Sequence, residues 1–326
     1  MTRSLSLAGM ALAIVAACGL GGRAYASGSS YPDRPIRLIV PYSAGGGADN
    51  AARVIAQKLS DRLGQSVIVE NKPGASGTVA EGYVVRSPAD GYTVLYDTFA
   101  FGVNASLRKL PFDPRHDLEP VSLVATAAMI LVENPKLPSK TLAQLLAQTK
   151  AHPGTVTYAS YGVGSSAHLA AELLNDRAGT RMLHVPFKGG APALTNVIGG
   201  QVDCYFANVS SGLPYVRSGM VRALAVSSAK RLKVLPDVPT VQESGFPGFE
   251  VLDWHGLFVP HGTPAAIVEK LAQAANYATS DPSVIKRLHD MGIEPASSSP
   301  AKFGKFLDGQ MKKWSTLIEQ RHISLQ

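Results

Sequence analysis

Two stretches of the chain combine a β-type run, a glycine-rich turn and a helix start. The first is Ile36-Arg37-Leu38-Ile39-Val40-Pro41, then Tyr42-Ser43-Ala44-Gly45-Gly46-Gly47-Ala48-Asp49, with a helix expected from Asn50. The second is Thr155-Val156-Thr157-Tyr158-Ala159-Ser160, then Tyr161-Gly162-Val163-Gly164-Ser165-Ser166-Ala167-His168, with a helix expected through Leu174. The chemistry open to such a turn is anion binding. Free backbone N–H groups and the positive end of a helix dipole both point beyond the carboxyl end of the strand. One such turn suggests a phosphate or cofactor loop. Two, in separate halves of the chain, suggest a jaw on each side of a cleft that grips one anion.

The side chains around these turns extend the expected site. A tight turn needs only one glycine for a positive φ, so three in a row at Gly45, Gly46 and Gly47 also leave the backbone uncovered for close approach. Asp49 reads as an N-cap, with a direct ligand role as the alternative, and its charge argues against a dianion seated directly on that helix end. Ser165 and Ser166 read as caps or hydroxyl donors. Tyr42, Phe99, Tyr161, Phe187 and Phe206 can wall a cleft, although aromatic residues in strands are ordinarily core. Lys188, at a strand end in Pro186-Phe187-Lys188-Gly189-Gly190, is the best candidate for a countercharge, with a solvated lysine as the alternative. Ser43, Ala44, Ser76, Ala100 and Asn208 complete the expected lining.

Catalytic readings find less support. The sequence has no G-x-S-x-G elbow for a hydrolase serine. His168 and Glu172 share a helix face as metal ligands can, but no third ligand stands nearby, and Asp253, His255 and His261 match no metal spacing. Gly162-x-Gly164-x-x-Ala167 fits a relaxed dinucleotide fingerprint. The acidic residue that should follow to hold a ribose is missing from Arg181-Met182-Leu183-His184-Val185. The first turn lacks the lysine and Ser/Thr order of a P-loop. An oxidoreductase therefore stays only as an alternative, and neither cofactor nor metal is expected.

The elements that must position these groups alternate strand and helix. Residues 66–70 and 92–96 read as further strands, with a loop at 71–77 and a helix at 78–86. A second set follows from Met129, with a capping-box helix start at Thr141-Leu142-Ala143-Gln144. Strands separated by helices imply right-handed crossovers and a largely parallel sheet, with ligands outside the carboxyl ends of the strands. Tail helices are expected near Pro264, Pro282 and Pro300, proline being favoured in a first turn. The fold class expected is α/β: two domains, each a mostly parallel sheet flanked by helices, joined by a hinge of two crossings. Residues 31–126 and 254–326 form the first domain and 127–253 the second.

Export is read from the N-terminus. Arg3, the apolar run 5–17 and Ala24-Tyr25-Ala26 fit a signal peptide over residues 1–26, cleaved after Ala26 into the periplasm. Val15-Ala16-Ala17-Cys18 resembles a lipobox, which would make Cys18 a lipidated N-terminus instead. Cleavage removes Arg3 and Arg23, so the formal charge falls from +7 to +5. That excess is spread out, with no Lys/Arg block of nucleic-acid type. Cys204 is then the only cysteine, in an apolar strand, so the fold rests on its core and not on disulfides.

Ordered motifs along the whole mature chain resemble a known family, the Bug-type (TctC-like) periplasmic solute-binding receptors of tripartite tricarboxylate transporters. They begin with Tyr31-Pro32-x-Arg34-Pro35-Ile36 and Pro41-Tyr42-x-Ala44-Gly45-Gly46-x-x-Asp49. Val69-Glu70-Asn71-Lys72-Pro73-Gly74-Ala75-x-Gly77 and Gly162-x-Gly164-Ser165-x-x-His168-Leu169 follow. Pro186-Phe187-Lys188-Gly189, Gly199-Gly200-Gln201-Val202-Asp203 and Trp254-x-Gly256-Leu257-Phe258-x-Pro260-x-Gly262-Thr263-Pro264 continue the series. The resemblance implies a Venus-flytrap receptor that closes on a small organic carboxylate, held by backbone amides and bridging waters, with Tyr42 to Asp49 and Gly162 to His168, His168 included, as the two gripping loops. It also implies permease subunits as partners, with a periplasmic sensor subunit as the alternative role. A monomer that binds no nucleic acid is expected. Two positions depart from the family pattern: Asn196 stands where Asp is usual, and Asn208 lies where members vary and can tune the distal end of the ligand.

Overall fold

The computed structural model describes residues 31–325. The expected signal peptide, its cleavage site and Cys18 lie outside the described residues. The chain opens with β1 (Ile36–Val40), α1 (Gly47–Leu63), β2 (Val67–Asn71) and a 3-10 turn at Ala75–Gly77. Then come α2 (Thr78–Val85), β3 (Thr93–Thr98), α3 (Phe101–Leu107) and the long β4 (Leu118–Ala127). A second series runs through β5 (Met129–Glu133), α4 (Leu142–Ala151), β6 (Thr157–Ser160), α5 (Ser166–Ala178) and β7 (Leu183–Pro186). It ends with α6 (Gly190–Gly199), β8 (Cys204–Asn208), α7 (Val209–Arg217) and β9 (Arg222–Val226). The tail holds β10 (Asp253–Pro260), α8 (Ala265–Ser280), α9 (Pro282–Asp290), β11 (Glu294–Pro295) and α10 (Pro300–Gln320).

These strands make two sheets, in the orders β11-β4-β10-β3-β1-β2 and β7-β6-β8-β5-β9. The chain crosses between them twice, at Ala128 and between Val226 and Asp253. Both sheets are mixed, which refines the expectation of mostly parallel ones. β1 pairs in parallel with β2 and β3, and β6 with β7 and β8. The strands next to the crossings run antiparallel: β10 against β3 and β4, and β5 against β8 and β9. The parallel halves are the βαβ units that carry the glycine turns, so their strand ends face one cleft.

Strand β1 is buried and apolar except at Arg37, as suits a strand covered by helices on both sides. Tail helices α8 and α9 pack on α1, while α10 packs against α3 and β4 and reaches α5. Their starts follow the sequence signals. Asp281 and Ser299 cap α9 and α10 with Pro282 and Pro300 in the first turn, and the Thr141 side chain accepts from Gln144 N–H at the start of α4. Trp314 of α10 lies edge-on against Phe99, ring centroids 5.1 Å apart, which ties the last helix to the wall of the cleft. No described helix is long and apolar enough to cross a membrane.

Candidate ligand cleft

The two glycine turns have the same construction. After β1, Gly45 takes φ +81°, and its N–H donates to Asp49 Oδ2 at 2.8 Å. After β6, Gly164 takes φ +79°, and its N–H donates to His168 Nδ1 at 3.1 Å. In each turn the next residue, Gly46 or Ser165, is the N-cap, and its N–H bonds back to Ser43 O or Gly162 O. Tyr42 and Tyr161 open the two turns at equivalent positions, their hydroxyls bonded to Thr98 Oγ1 and Ser166 Oγ. The N–H groups of Gly47 and Ala48 in one turn and Ala167 in the other have no protein acceptor among the described residues. They are the donors a helix start leaves for a ligand.

This construction corrects two expectations. Asp49 is neither N-cap nor ligand. It sits in the first turn of α1, fully buried, and accepts from Gly45 N–H, Arg53 Nε at 2.9 Å and Asn71 Nδ2 at 2.8 Å. Those donors keep its carboxyl ionised below the usual range, although burial works the other way. His168 is likewise a brace. It is buried, stacks on His184 with ring centroids 4.0 Å apart, and is held neutral by burial, its pKa lowered to about 3. A neutral imidazole accepting at Nδ1 carries its proton on Nε2. Glu172, one turn on from His168, accepts from Tyr158 Oη at 2.6 Å and Arg321 Nε at 2.9 Å.

Both turns open onto one cavity of about 970 Å³. Its wall contains Tyr42, Ser43, Ala44, Gly45, Gly46 and Gly47 from the first turn, and Tyr161, Gly162, Gly164, Ser165 and Ser166 from the second. Ser76, Phe99, Ala100 and Asn208 also stand on its wall. Lys188 and Phe206 do not. Lys188 is exposed outside the cavity, and Gly189 and Gly190 take its place on the wall. Phe206 is buried against Phe249, because successive strand residues face opposite sides and Tyr205 takes the cavity side. Asn196 donates to Pro192 O on the exposed face of α6, away from the cleft.

Several lining residues carried no sequence signal: Asn104, Leu107, Arg108, Tyr205, Asp253 and His255. Arg108 donates to Ser76 Oγ at 3.0 Å, and its Nε is buried without a partner. Ala75 and Ser76 hold φ of +47° and +55°, uncommon for residues with a side chain, and Asn104 Nδ2 donates to Ser76 O at 3.0 Å to keep that loop in place. Asp253 is raised to about 6 by burial, which the nearby Phe99 N–H and Tyr161 hydroxyl partly oppose. His255 is buried, bonded through Nδ1 to Tyr96 Oη at 2.6 Å and lowered to about 4 by burial. The two lobes meet at the cleft. A Cβ on Gly164 would overlap Leu107 of α3, and one on Gly292 would come within 2.8 Å of Ser210 N.

Beneath the first turn lies a buried carboxyl pair, Glu81 and Asp97. Each leaves one oxygen, Oε2 and Oδ2, without a hydrogen-bond partner. Burial raises both, Glu81 to about 7, and the Glu81 charge raises Asp97 further, so the pair holds a proton at neutral pH. The folded state thus keeps a proton that the unfolded chain releases near 4.5. The pair's contribution to stability is full below that pH and is lost as pH rises through about 7. Glu81→Gln supplies the missing donor as an amide N–H while keeping the acceptor for Asn104. The variant should melt several degrees higher than the parent at pH 8 and no higher at pH 4.5. A gain independent of pH, or a loss at pH 8, would show that the pair holds no such proton.

The family model for the tripartite tricarboxylate transporter family receptor, TctC, matches residues 51–323. The protein BugT of Bordetella pertussis is 36% identical over 329 residues, covering 100% of this chain and 99% of its own. Among solved structures, MatC from Rhodopseudomonas palustris with bound malate is 32% identical and covers 88% of this chain and 100% of its own, with a TM-score of 0.75. Another R. palustris protein, solved with adipate, is 33% identical and covers 90% of this chain and 100% of its own, with a TM-score of 0.79.

Proposed function

The chain belongs to the TctC family of tripartite tricarboxylate transporter receptors, and from that premise we propose that it captures a small organic carboxylate in the cleft between its two sheets. It is a Bug-type periplasmic receptor, not an enzyme. The observation that carries the ligand reading is the pair of matched glycine turns opening onto one cavity, each with helix N–H donors left free. Similar proteins solved with malate and adipate support the same ligand class. Residues 31–126 and 254–326 act as one lobe and 127–253 as the other. Cleavage after Ala26 releases the receptor into the periplasm, and the permease subunits of a tripartite transporter receive its ligand.

A thermal-shift screen tests this reading. At a hundredfold excess over Kd a ligand adds about 2.7 kcal/mol to the binding-competent state. For a chain of this size that is of the order of several degrees in Tm. Members of a broad carboxylate panel should produce such a shift while NAD and ATP produce none. Stabilisation by a nucleotide, with silence across the carboxylates, would overturn the assignment.

A further inference from the structure

Among the described residues, the cavity wall carries one guanidinium, Arg108, and one carboxyl, Asp253. Arg108 follows α3 and is tethered to Ser76. Asp253 opens β10, at the second crossing between the sheets. No cation stands against Asp253. The groups beside it are the Phe99 N–H and the Tyr161 hydroxyl, both neutral. The groups that feel its charge are the hydroxyls of Tyr42, Tyr96, Tyr161 and Tyr205, drawn from four different segments around the cleft. Asn208 lines the same cavity, and its Oδ1 is buried and accepts nothing. The two residues flank one short stretch of chain: Asp253 is the strand partner of Ala127, and Asn208 of Met129.

A wall of this composition is ill suited to a ligand that is anionic throughout. A second carboxylate against Asp253 would meet like charge where little water is available to screen it. An uncompensated carboxylate in a closing cleft is costly unless the ligand brings the countercharge. A protonated amine does so, and its three N–H donors can satisfy both Asp253 and Asn208 Oδ1. We propose that the ligand is an amino carboxylate, its carboxylate gripped by the two glycine turns and its protonated nitrogen held by Asp253 and Asn208. This rests on the carboxylate-receptor reading and narrows it.

Calorimetry on the mature protein at pH 8 tests the idea with matched probes. 4-Aminobutyrate, 5-aminovalerate and L-glutamate are compared with succinate, glutarate, butyrate and valerate. At least one amino carboxylate should bind the wild type roughly tenfold more tightly than the dicarboxylate or monocarboxylate of matching length. Asp253→Asn should lose roughly tenfold for that amino carboxylate and so remove its preference over the monocarboxylate of matching length. The wild-type ranking carries the test alone, so a poorly folded variant does not leave it open. A dicarboxylate that binds the wild type as tightly as its amino counterpart, or an Asp253→Asn protein with unchanged amino-carboxylate affinity, would overturn the proposal. Binding of no carboxylate at all would overturn the receptor reading, and this inference with it.

Discussion

Replacing Gly46 by Asp lowers carboxylate affinity by roughly a hundredfold or more and leaves the protein folded. Gly46 has φ −74° and ψ 166°, an extended conformation open to any residue, and a Cβ there meets only Ser43 O at 3.4 Å. It is also the N-cap of α1, where Asp is favoured. The new side chain would take up the N–H groups of the first turn and set a negative charge in the jaw. Each hydrogen bond to a charged group is worth about 1.5–3 kcal/mol, so losing two accounts for the predicted drop. Calorimetry reads the affinity, and a thermal melt no lower than the parent's separates lost binding from lost structure. Affinity within threefold of the parent would mean that this turn does not hold the ligand.

Gly164→Ala is expected to act without any charge. Its φ of +79° is strained for a residue with a Cβ, at roughly 1–2 kcal/mol, and that Cβ would overlap Leu107 of the opposite lobe. The variant should therefore bind roughly ten- to a hundredfold more weakly and remain more open with ligand present, as small-angle scattering can show. Adding Leu107→Ala removes the overlap but not the backbone strain, so the double variant should close again and recover part of the affinity. If Leu107→Ala recovers nothing, the effect of Gly164→Ala belongs to the turn itself and not to closure.

The glycine turns were legible in the sequence because their signal is local: a strand, residues tolerant of positive φ, and a helix start. The side chains that complete the cavity were not. Asp49 and His168 each stand four residues after a left-handed glycine and fold back on its N–H, a role set by turn geometry. Tyr205 and Phe206 are adjacent, and only the strand's register decides which of them faces the ligand. Lys188 has the right charge at a strand end but points away from the cavity, whereas Arg108 reaches it through a loop more than thirty residues distant in sequence. Asp253 matched no site pattern in the sequence. Its place at the cleft follows from β10 returning between β3 and β4, an antiparallel insertion that strand–helix alternation does not reveal.

The central claim is that one carboxylate is held by both turns at once. A crystal structure with the panel carboxylate that stabilises the protein most tests it directly. The carboxylate should lie in the cavity between the turns, its oxygens bonded, directly or through one water, to N–H groups of Gly47 or Ala48 on one side and of Ala167 on the other. A carboxylate bound by one turn alone, or seated elsewhere on the protein, would contradict the account.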